Sequence, residues 1–219
     1  MILLFSGGVD SFVAYHYLKK PKTVYFDLNS RYSEKEKAVI KNLIPDTIID
    51  YSLDLHDREY GEKAYIPFRN LLLACQATKY SDVIVIAGIQ DDMVSDKNEP
   101  VFLKFSELLT ELEGRSITVF SPFWKMTKAQ VIKWYLLNIG DSEIIKTVSC
   151  YSENPLVTYC GKCPSCFRKW CAFQENGIKL EFHNEELMQE YYESAKSGKY
   201  IPERNESIIK VIDEYRNRH

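Results

Sequence analysis

Short apolar segments alternate with helical patterns through the first 140 residues, and this order limits the fold more than any other feature. The segments predicted as strands, each rich in Val, Ile, Tyr or Phe, are Met1–Phe5, Thr23–Asp27, Thr47–Tyr51, Asp82–Ala87 and Ser116–Phe120. The predicted helices are Ser11–Lys19, Ser33–Leu43, Arg69–Tyr80, Val101–Leu112 and Thr127–Asn138. This alternation predicts an α/β fold with a doubly wound, mostly parallel five-stranded sheet. Ligands of such sheets bind at the carboxyl ends of the strands.

Two predicted helices begin with the pattern of a capping box. Ser33 is followed three residues later by Glu36, and Thr127 is followed by Gln130. In this motif a hydroxyl and a side-chain oxygen accept from free backbone N–H groups of the first turn. We therefore expect both helices to start at these hydroxyl residues.

The stretch Ser6-Gly7-Gly8-Val9-Asp10-Ser11 directly follows the first predicted strand. Two glycines permit a sharp turn that brings backbone amides close to a ligand, and the start of the next helix points its free N–H groups at the same place. This arrangement predicts a phosphate site. The stretch lacks the Gly-Lys-Ser/Thr of a Walker A loop and the Gly-x-Gly-x-x-Gly dinucleotide pattern. A simple turn with an N-cap is the alternative.

Four cysteines crowd into the second half of the chain, at Cys150, Cys160, Cys163 and Cys166. Two Cys-x-x-Cys steps suit tetrahedral coordination of zinc by four thiolates, and a site with four protein ligands is structural rather than catalytic. An iron–sulfur cluster is the alternative. The other cysteines, Cys75 and Cys171, fall on predicted helices, where we expect small core residues.

The pattern changes beyond Gly140. A cysteine-rich loop is followed by three further predicted helices, Ser165–Glu175, Glu185–Lys196 and Glu203–Asn217. We therefore predict an α/β domain over residues 1–140 and a zinc-pinned, mainly helical appendage over residues 141–219.

Composition narrows the classes of function. The 219 residues carry a net charge of −3, which disfavours the broad basic surface of proteins that grip nucleic acid. No apolar run approaches the roughly 20 residues that span a bilayer. The first residues have neither a basic region nor a long apolar run, so they do not read as a signal peptide. We expect a cytoplasmic protein.

The Ser-Gly-Gly-x-Asp-Ser pattern resembles the PP-loop of ATP pyrophosphatases, which cleave ATP between its α- and β-phosphates. The resemblance extends to Ala87–Asp92, where Gly88 would let the backbone approach the nucleotide and acidic side chains could hold magnesium. Asp92 is the favoured ligand, with Asp91 beside it. Solvated loop acids are the alternative. Asp10 could approach the same metal or cap its helix.

Further motifs resemble the 7-cyano-7-deazaguanine synthase family of queuosine biosynthesis. They are Phe5–Ser11, Phe26-Asp27 with Arg31, Ile66–Leu71, Ser121–Lys128, Thr147–Tyr151 and Cys160–Cys166. The resemblance covers about residues 1–175. It implies a ligase that converts 7-carboxy-7-deazaguanine and ammonia to the nitrile, activating first the acid and then an amide with ATP, and it implies structural zinc.

The resemblance also implies roles for individual residues. ATP and magnesium would be bound by Phe5, Ser6, Gly7, Gly8, Val9, Asp10, Ser11, Gly88 and Asp92. Asp10, Arg69 and Lys128 are the candidate catalytic residues, and Arg69 would orient the acid or pyrophosphate. A salt-bridged helix start is the alternative for Arg69, and a solvated first-turn lysine is the alternative for Lys128.

Two segments depart from the family pattern. Ser95–Phe102 replaces a Tyr-Pro-Asp element, and Asp27–Ser30 replaces Asp-Tyr-Gly-Gln, so the substrate is less certain than the nucleotide chemistry. A variant that stops at the amide or uses a related deazapurine acid is one alternative. Others are a base-adenylating RNA-modifying enzyme and a zinc-knuckle binding module. We expect a homodimer, and we expect the tyrosines beyond Gly177 to pack rather than bind bases.

Overall fold

The computed structural model describes residues 1–61, 65–90, 92, 94–140 and 142–218. Its strands are β1 (Ile2–Leu4), β2 (Lys22–Phe26), β3 (Ile48–Asp50), β4 (Val83–Ile86) and β5 (Thr118–Phe120). Its helices are α1 (Val9–Tyr17), α2 (Ser33–Leu43), α3 (Arg69–Ala77), α4 (Glu99–Glu113), α5 (Lys128–Asn138), α6 (Pro164–Glu175), α7 (Glu185–Lys196) and α8 (Pro202–Arg216). Short 3-10 helices occupy His56–Arg58 and Glu143–Lys146.

The five strands form one parallel sheet in the order β3-β2-β1-β4-β5. The chain reverses its direction of winding between β1 and β4, and alternate residues of β1 enter different cores. Leu3 packs with α1 and α5, whereas Ile2 and Leu4 pack with α3 and α4. Helices therefore cover both faces, and the predicted doubly wound sheet is confirmed. The β1–β4 switch point is where such folds bind ligands.

One of the two predicted capping boxes is confirmed. Thr127 accepts from the backbone N–H of Gln130, whose side chain accepts from the backbone N–H of Thr127. The prediction for Ser33 and Glu36 is wrong. Helix α2 has Tyr32 at its N-cap with no side-chain cap, because the Ser33 hydroxyl accepts from Ser30 N–H at 3.0 Å instead.

The last three helices pack around a separate aromatic core. Trp170 and Phe167 of α6 meet Phe182, and Tyr191 of α7 stacks on Phe167 with ring centroids 4.0 Å apart. The tail tyrosine Tyr191 thus packs, as expected. Helix α6 also contacts α5, which belongs to the predicted α/β domain. The domain boundary near residue 140 stays a prediction. None of the described helices is long and apolar enough to span a membrane.

The two isolated cysteines differ in exposure. Cys171 is buried among the aromatic residues of α6, as predicted, whereas Cys75 is exposed on α3. The prediction that Cys75 is a core residue is therefore wrong. Its neighbours Ala74 and Ala77 occupy the buried face of the helix instead.

Candidate active site

The glycine loop lies at the carboxyl end of β1 and leads directly into α1. Gly7 adopts φ +70°, and a Cβ there would lie 3.1 Å from Val39 Cγ1, so both the backbone angle and the packing on α2 require glycine. Gly8 is the N-cap of α1 and makes no side-chain cap, since it has none. The first turn of α1 is therefore available to an anion, whose charge the helix dipole favours.

Hydroxyl groups brace this loop from within. Ser6 N–H donates to Ser11 Oγ at 3.3 Å, and Ser11 Oγ donates to the carbonyl oxygen of Gly8 at 3.1 Å. The backbone N–H of Gly8 donates to Ser6 Oγ at 3.4 Å. The two serines thus hold the turn in shape without a bound ligand.

A cleft with two lobes opens at this edge of the sheet, and both lobes reach the glycine loop. The first lobe, of about 240 Å³, is walled by the ends of β1, β2 and β4 and by the start of α3; we call it the apolar lobe after the strand-end side chains Val24, Phe26 and Ile86, although Glu36, Arg69 and Asn70 also line it. The cationic lobe, of about 250 Å³, runs from the loop to α6 and the cysteine segment. The lobes share Ser6, Gly8, Asp10, Tyr32, Glu36, Arg69 and Lys97.

The residues of the glycine loop that were predicted to bind ATP line one or both of these lobes, except Gly7. Phe5 and Ser11 line the apolar lobe, Val9 lines the cationic lobe, and Asp10 lines both. Gly7 lies behind the loop against α2. Their roles in binding ATP stay predictions, but most of these side chains and backbones border one cleft.

The three candidate catalytic side chains meet in the cleft. Lys128, at the start of α5, places its Nζ 2.6 Å from Asp10 Oδ1. Arg69, the first residue of α3, lines both lobes, and no hydrogen bond or ion pair holds its guanidinium within the described part of the chain. Neither alternative, a salt-bridged Arg69 or a solvated Lys128, agrees with these contacts.

In the neighbouring Ala87–Asp92 segment, only one of the two predicted residues, Asp92, lines the cleft. Gly88 lines neither lobe among the described residues, and a Cβ on it would overlap the ring of Trp124. Asp92 lines the cationic lobe, and its two oxygens are bonded to Lys97 and Arg168. Nucleotide binding by Gly88 and magnesium binding by Asp92 stay predictions, and Asp91 lies outside the described residues.

The four predicted zinc ligands form one cluster. Their sulfur atoms all lie within 4.8 Å of one another, and Cys160 Sγ is 3.9 Å from Cys166 Sγ. Four sulfurs at about 2.3 Å from a tetrahedral zinc ion would be about 3.8 Å apart, so the cluster has the right size. Gly161, with φ +67°, makes the turn between the first two ligands of the knuckle.

Hydrogen bonds favour thiolate at one cysteine of this cluster, Cys163, and the same contact raises the pKa of Cys166. Cys163, the N-cap of α6, accepts from the backbone N–H of Cys166 at 3.4 Å. The Cys166 thiol and this N–H lower the pKa of Cys163 to about 5. Burial raises the pKa of Cys150. Four soft sulfur donors, one of them already stabilised as thiolate, fit the chemistry of zinc.

The queuosine biosynthesis protein QueC family matches residues 38–177, more than half of the chain. The chain belongs to this family. It is similar to the 7-cyano-7-deazaguanine synthase of Rickettsia massiliae (strain Mtu5), with 24% identity over 81% of this chain and 95% of that protein. It is also similar to the enzyme of the same name from Psychromonas ingrahamii (strain DSM 17664 / CCUG 51855 / 37), with 25% identity over 82% and 95%. The family resemblance in the sequence is therefore confirmed.

This QueC family member has a partly buried polar pair in its cleft that the sequence patterns did not predict. Tyr25 OH donates to Glu36 Oε2 at 2.7 Å, and burial raises the pKa of both groups. Lys35 is also buried, and its Nζ donates to the carbonyl oxygens of Cys150 and Ser152. A signal did exist, because Lys35 and Glu36 precede the apolar Val39 and Ile40 by four residues and share their helix face.

Two further cations of the cleft were also missed. Arg168 lies two residues beyond the last cysteine ligand, and Lys97 lies in the segment that departs from the family pattern. Both form ion pairs with Asp92 in the lining of the cationic lobe. Arg168 is 76 residues from Asp92 in the sequence, so no local pattern marks their pairing, whereas Lys97 follows Asp92 by five residues.

Proposed function

We propose that the protein is an ATP-dependent carbon–nitrogen ligase that converts 7-carboxy-7-deazaguanine and ammonia into 7-cyano-7-deazaguanine. A carboxylate oxygen attacks the α-phosphorus of ATP, the bond to the β-phosphate oxygen breaks, and pyrophosphate leaves. Ammonia then attacks the carbonyl carbon, AMP leaves with the C–O electron pair, and loss of a proton gives the amide.

In the second half of the reaction, the same kinds of bond form and break again. The amide oxygen attacks a second ATP, pyrophosphate leaves again, and AMP then departs with that oxygen while the nitrogen loses its protons to form the nitrile. Release of ADP and phosphate instead would mean attack at the γ-phosphorus. The glycine loop lies at the start of α1, and we infer that it holds the phosphates of ATP so that the α-phosphorus is the one attacked.

The observation that carries the proposal is the place of the glycine loop between an apolar lobe and a cationic lobe. The apolar lobe suits adenine and ribose, and the loop with the α1 start suits the phosphates. The cationic lobe suits an acid and the charge that develops during transfer. The names of the similar enzymes supply the substrate.

In the proposed reaction, the charged residues of the cleft act by positioning the substrates and neutralising their charge. Arg69 and Lys128 neutralise phosphate or carboxylate oxygens, and Asp10 holds Lys128 in place beside the loop. Attack on phosphorus by the substrate needs in-line placement rather than a protein nucleophile. Magnesium, which Asp10 fits as a carboxylate ligand, would add neutralising charge when bound. Zinc would fix the cysteine segment. A cytoplasmic homodimer remains part of the proposal.

The proposal is tested by incubating the zinc-loaded protein with ATP, magnesium, ammonium and 7-carboxy-7-deazaguanine. AMP, pyrophosphate and the product mass are measured. Formation of the nitrile with acid-dependent AMP is the expected result. Accumulation of the amide alone would identify the shortened variant, which the altered Asp27–Ser30 and Ser95–Phe102 segments make worth testing. Absence of acid-dependent AMP would exclude this function.

A further inference from the structure

Asp96 binds Asn70 through both of its carboxylate oxygens at the start of α3. Asp96 Oδ2 accepts from the backbone N–H of Asn70 at 3.0 Å, and Asp96 Oδ1 accepts from Asn70 Nδ2 at 2.8 Å. Phe68, the N-cap of this helix, makes no side-chain cap. Asp96 lies in the Ser95–Phe102 segment that departs from the family pattern, and it supplies the acceptor that the helix start lacks locally.

This contact fixes the direction of the Asn70 amide. A carboxylate accepts hydrogen bonds and cannot donate them, so the group that meets Asp96 is the NH2 of the amide. The amide oxygen, Oδ1, is then turned away from Asp96, and none of the described residues donates to it. Asn70 is only 3% exposed. Because an amide oxygen largely withdrawn from water is costly without a donor, a ligand N–H group that reaches it binds favourably.

The face of α3 that carries Asn70 borders the apolar lobe. Leu73 follows three residues later on the same face of the helix, and both residues line this lobe. The strand-end side chains Val24, Phe26 and Ile86 line it as well. An aromatic ring bound in the lobe would therefore contact apolar side chains and meet one amide oxygen.

We infer that Asn70 Oδ1 accepts a hydrogen bond from the 6-amino group of ATP, and that Asp96 is a positioning residue that sets the direction of the Asn70 amide. The inference rests on the proposed function, which puts adenine in the apolar lobe and the phosphates at the glycine loop. The 6-amino group is the only N–H donor of the adenine in ATP. Guanine and hypoxanthine carry an oxygen there, and two oxygens would face each other with no proton between them. Asn70 and Asp96 thus select ATP over GTP and ITP.

The first test varies the nucleotide and leaves the protein unaltered. Calorimetry on the zinc-loaded protein, with magnesium and without the acid, measures binding of three nucleotides. They are ATP, purine riboside triphosphate, which lacks the 6-amino group, and ITP, which has an oxygen in its place. Purine riboside triphosphate should bind about 3- to 10-fold more weakly than ATP, and ITP more weakly still. Equal binding of ATP and purine riboside triphosphate would overturn the inference.

The second test removes the acceptor. Asn70→Ala should weaken ATP about 3- to 10-fold and change purine riboside triphosphate less than about twofold, so that the two nucleotides bind alike. A similar loss for both would mean a structural effect and overturn the role of Asn70. Asn42→Ala, an exposed change on α2, is the matched control. Zinc content and circular dichroism check the fold, and the comparison of nucleotides on the unaltered protein decides the matter if Asn70→Ala does not fold.

Asp96→Asn tests positioning. The new amide can donate as well as accept, so the Asn70 amide can turn its NH2 toward the lobe and donate to a 6-oxygen. The ratio of ATP affinity to ITP affinity should therefore fall toward one. A variant that merely loosened the start of α3 would weaken both nucleotides and keep their ratio, and that result would overturn the positioning role of Asp96.

The remaining outcomes distinguish this inference from the proposed function. Weaker binding of 7-carboxy-7-deazaguanine by Asn70→Ala, with ATP unaffected, would assign the amide oxygen to an N–H group of the acid and overturn the inference. Turnover of the acid by the unaltered protein would still support the proposed ligase in that case. Absence of acid-dependent AMP, together with a preference for ATP over purine riboside triphosphate that Asn70→Ala abolishes, would exclude the ligase and support the adenine site.

Discussion

Asp10 Oδ1 lies 2.6 Å from Lys128 Nζ, which ties the helix that follows the glycine loop to the first turn of α5. The two side chains are only 17% and 14% exposed, so the pair is shielded from bulk solvent. Such a pair holds each charge in one place beside the glycine loop, and under the proposed function a small displacement of either charge would lower the rate more than the stability.

Replacement of Asp10 should therefore remove activity and leave the fold intact. We expect Asp10→Asn to lower kcat by at least about 100-fold, because the charge of Lys128 is no longer held and the proposed magnesium ligand is lost. The double variant with Lys128→Met should cost no more than Asp10→Asn alone. AMP release measures activity, and zinc content should stay unchanged. Asp46→Asn, at an exposed position, is the control.

Removal of one cysteine ligand should release the metal. We expect Cys163→Ser to lose zinc and to lower Tm by at least about 5 °C, because metal binding contributes to the stability of the folded state. Cys75→Ser changes an exposed cysteine and should keep both zinc and Tm. Mass spectrometry gives the metal content and calorimetry gives Tm. Bound iron with visible absorption would identify an iron–sulfur cluster instead.

The sheet and the cysteine cluster could be predicted because their signals are local. Each strand is a short apolar run, and three of the four clustered cysteines lie within seven consecutive residues, Cys160–Cys166. The signal of the glycine loop is also local, because the end of the strand, the turn and the start of the helix follow one another in the sequence.

The rest of the cleft depends on long-range contacts. Arg168 meets Asp92 across 76 residues of sequence, and nothing near either residue specifies the pairing. Ser33 shows that a local pattern can also fail. The capping-box pattern was present, but the Ser33 hydroxyl accepts from the backbone N–H of Ser30 and does not cap α2. Lys35 is likewise buried by a distant partner, because its Nζ donates to the carbonyl oxygen of Cys150, 115 residues away in the sequence.

Glu36 should make stability depend on pH. Burial raises its pKa above the ordinary value of 4.5, although the Tyr25 hydroxyl opposes this. The folded state then binds the proton more tightly than the unfolded state, so stability is fully present below about pH 4.5 and falls as pH rises through the folded pKa. Relative to Glu36→Gln, the unaltered protein should lose free energy of unfolding as the pH rises above about 4.5. Urea titration at several pH values measures this, and parallel curves would contradict it.

Gly88 should be required by packing against Trp124, whatever its part in nucleotide binding. A Cβ on Gly88 would overlap the six-membered part of the indole, which is held against Phe102 with ring centroids 4.9 Å apart. We expect Gly88→Ala to cost about 1–3 kcal/mol of unfolding free energy, because the ring or the strand end must shift. In a Trp124→Phe background the same change should cost less, since the overlapped atoms are absent. Urea unfolding of the four proteins measures the difference. Equal costs in both backgrounds would mean that the backbone at Gly88, and not the contact with Trp124, requires glycine.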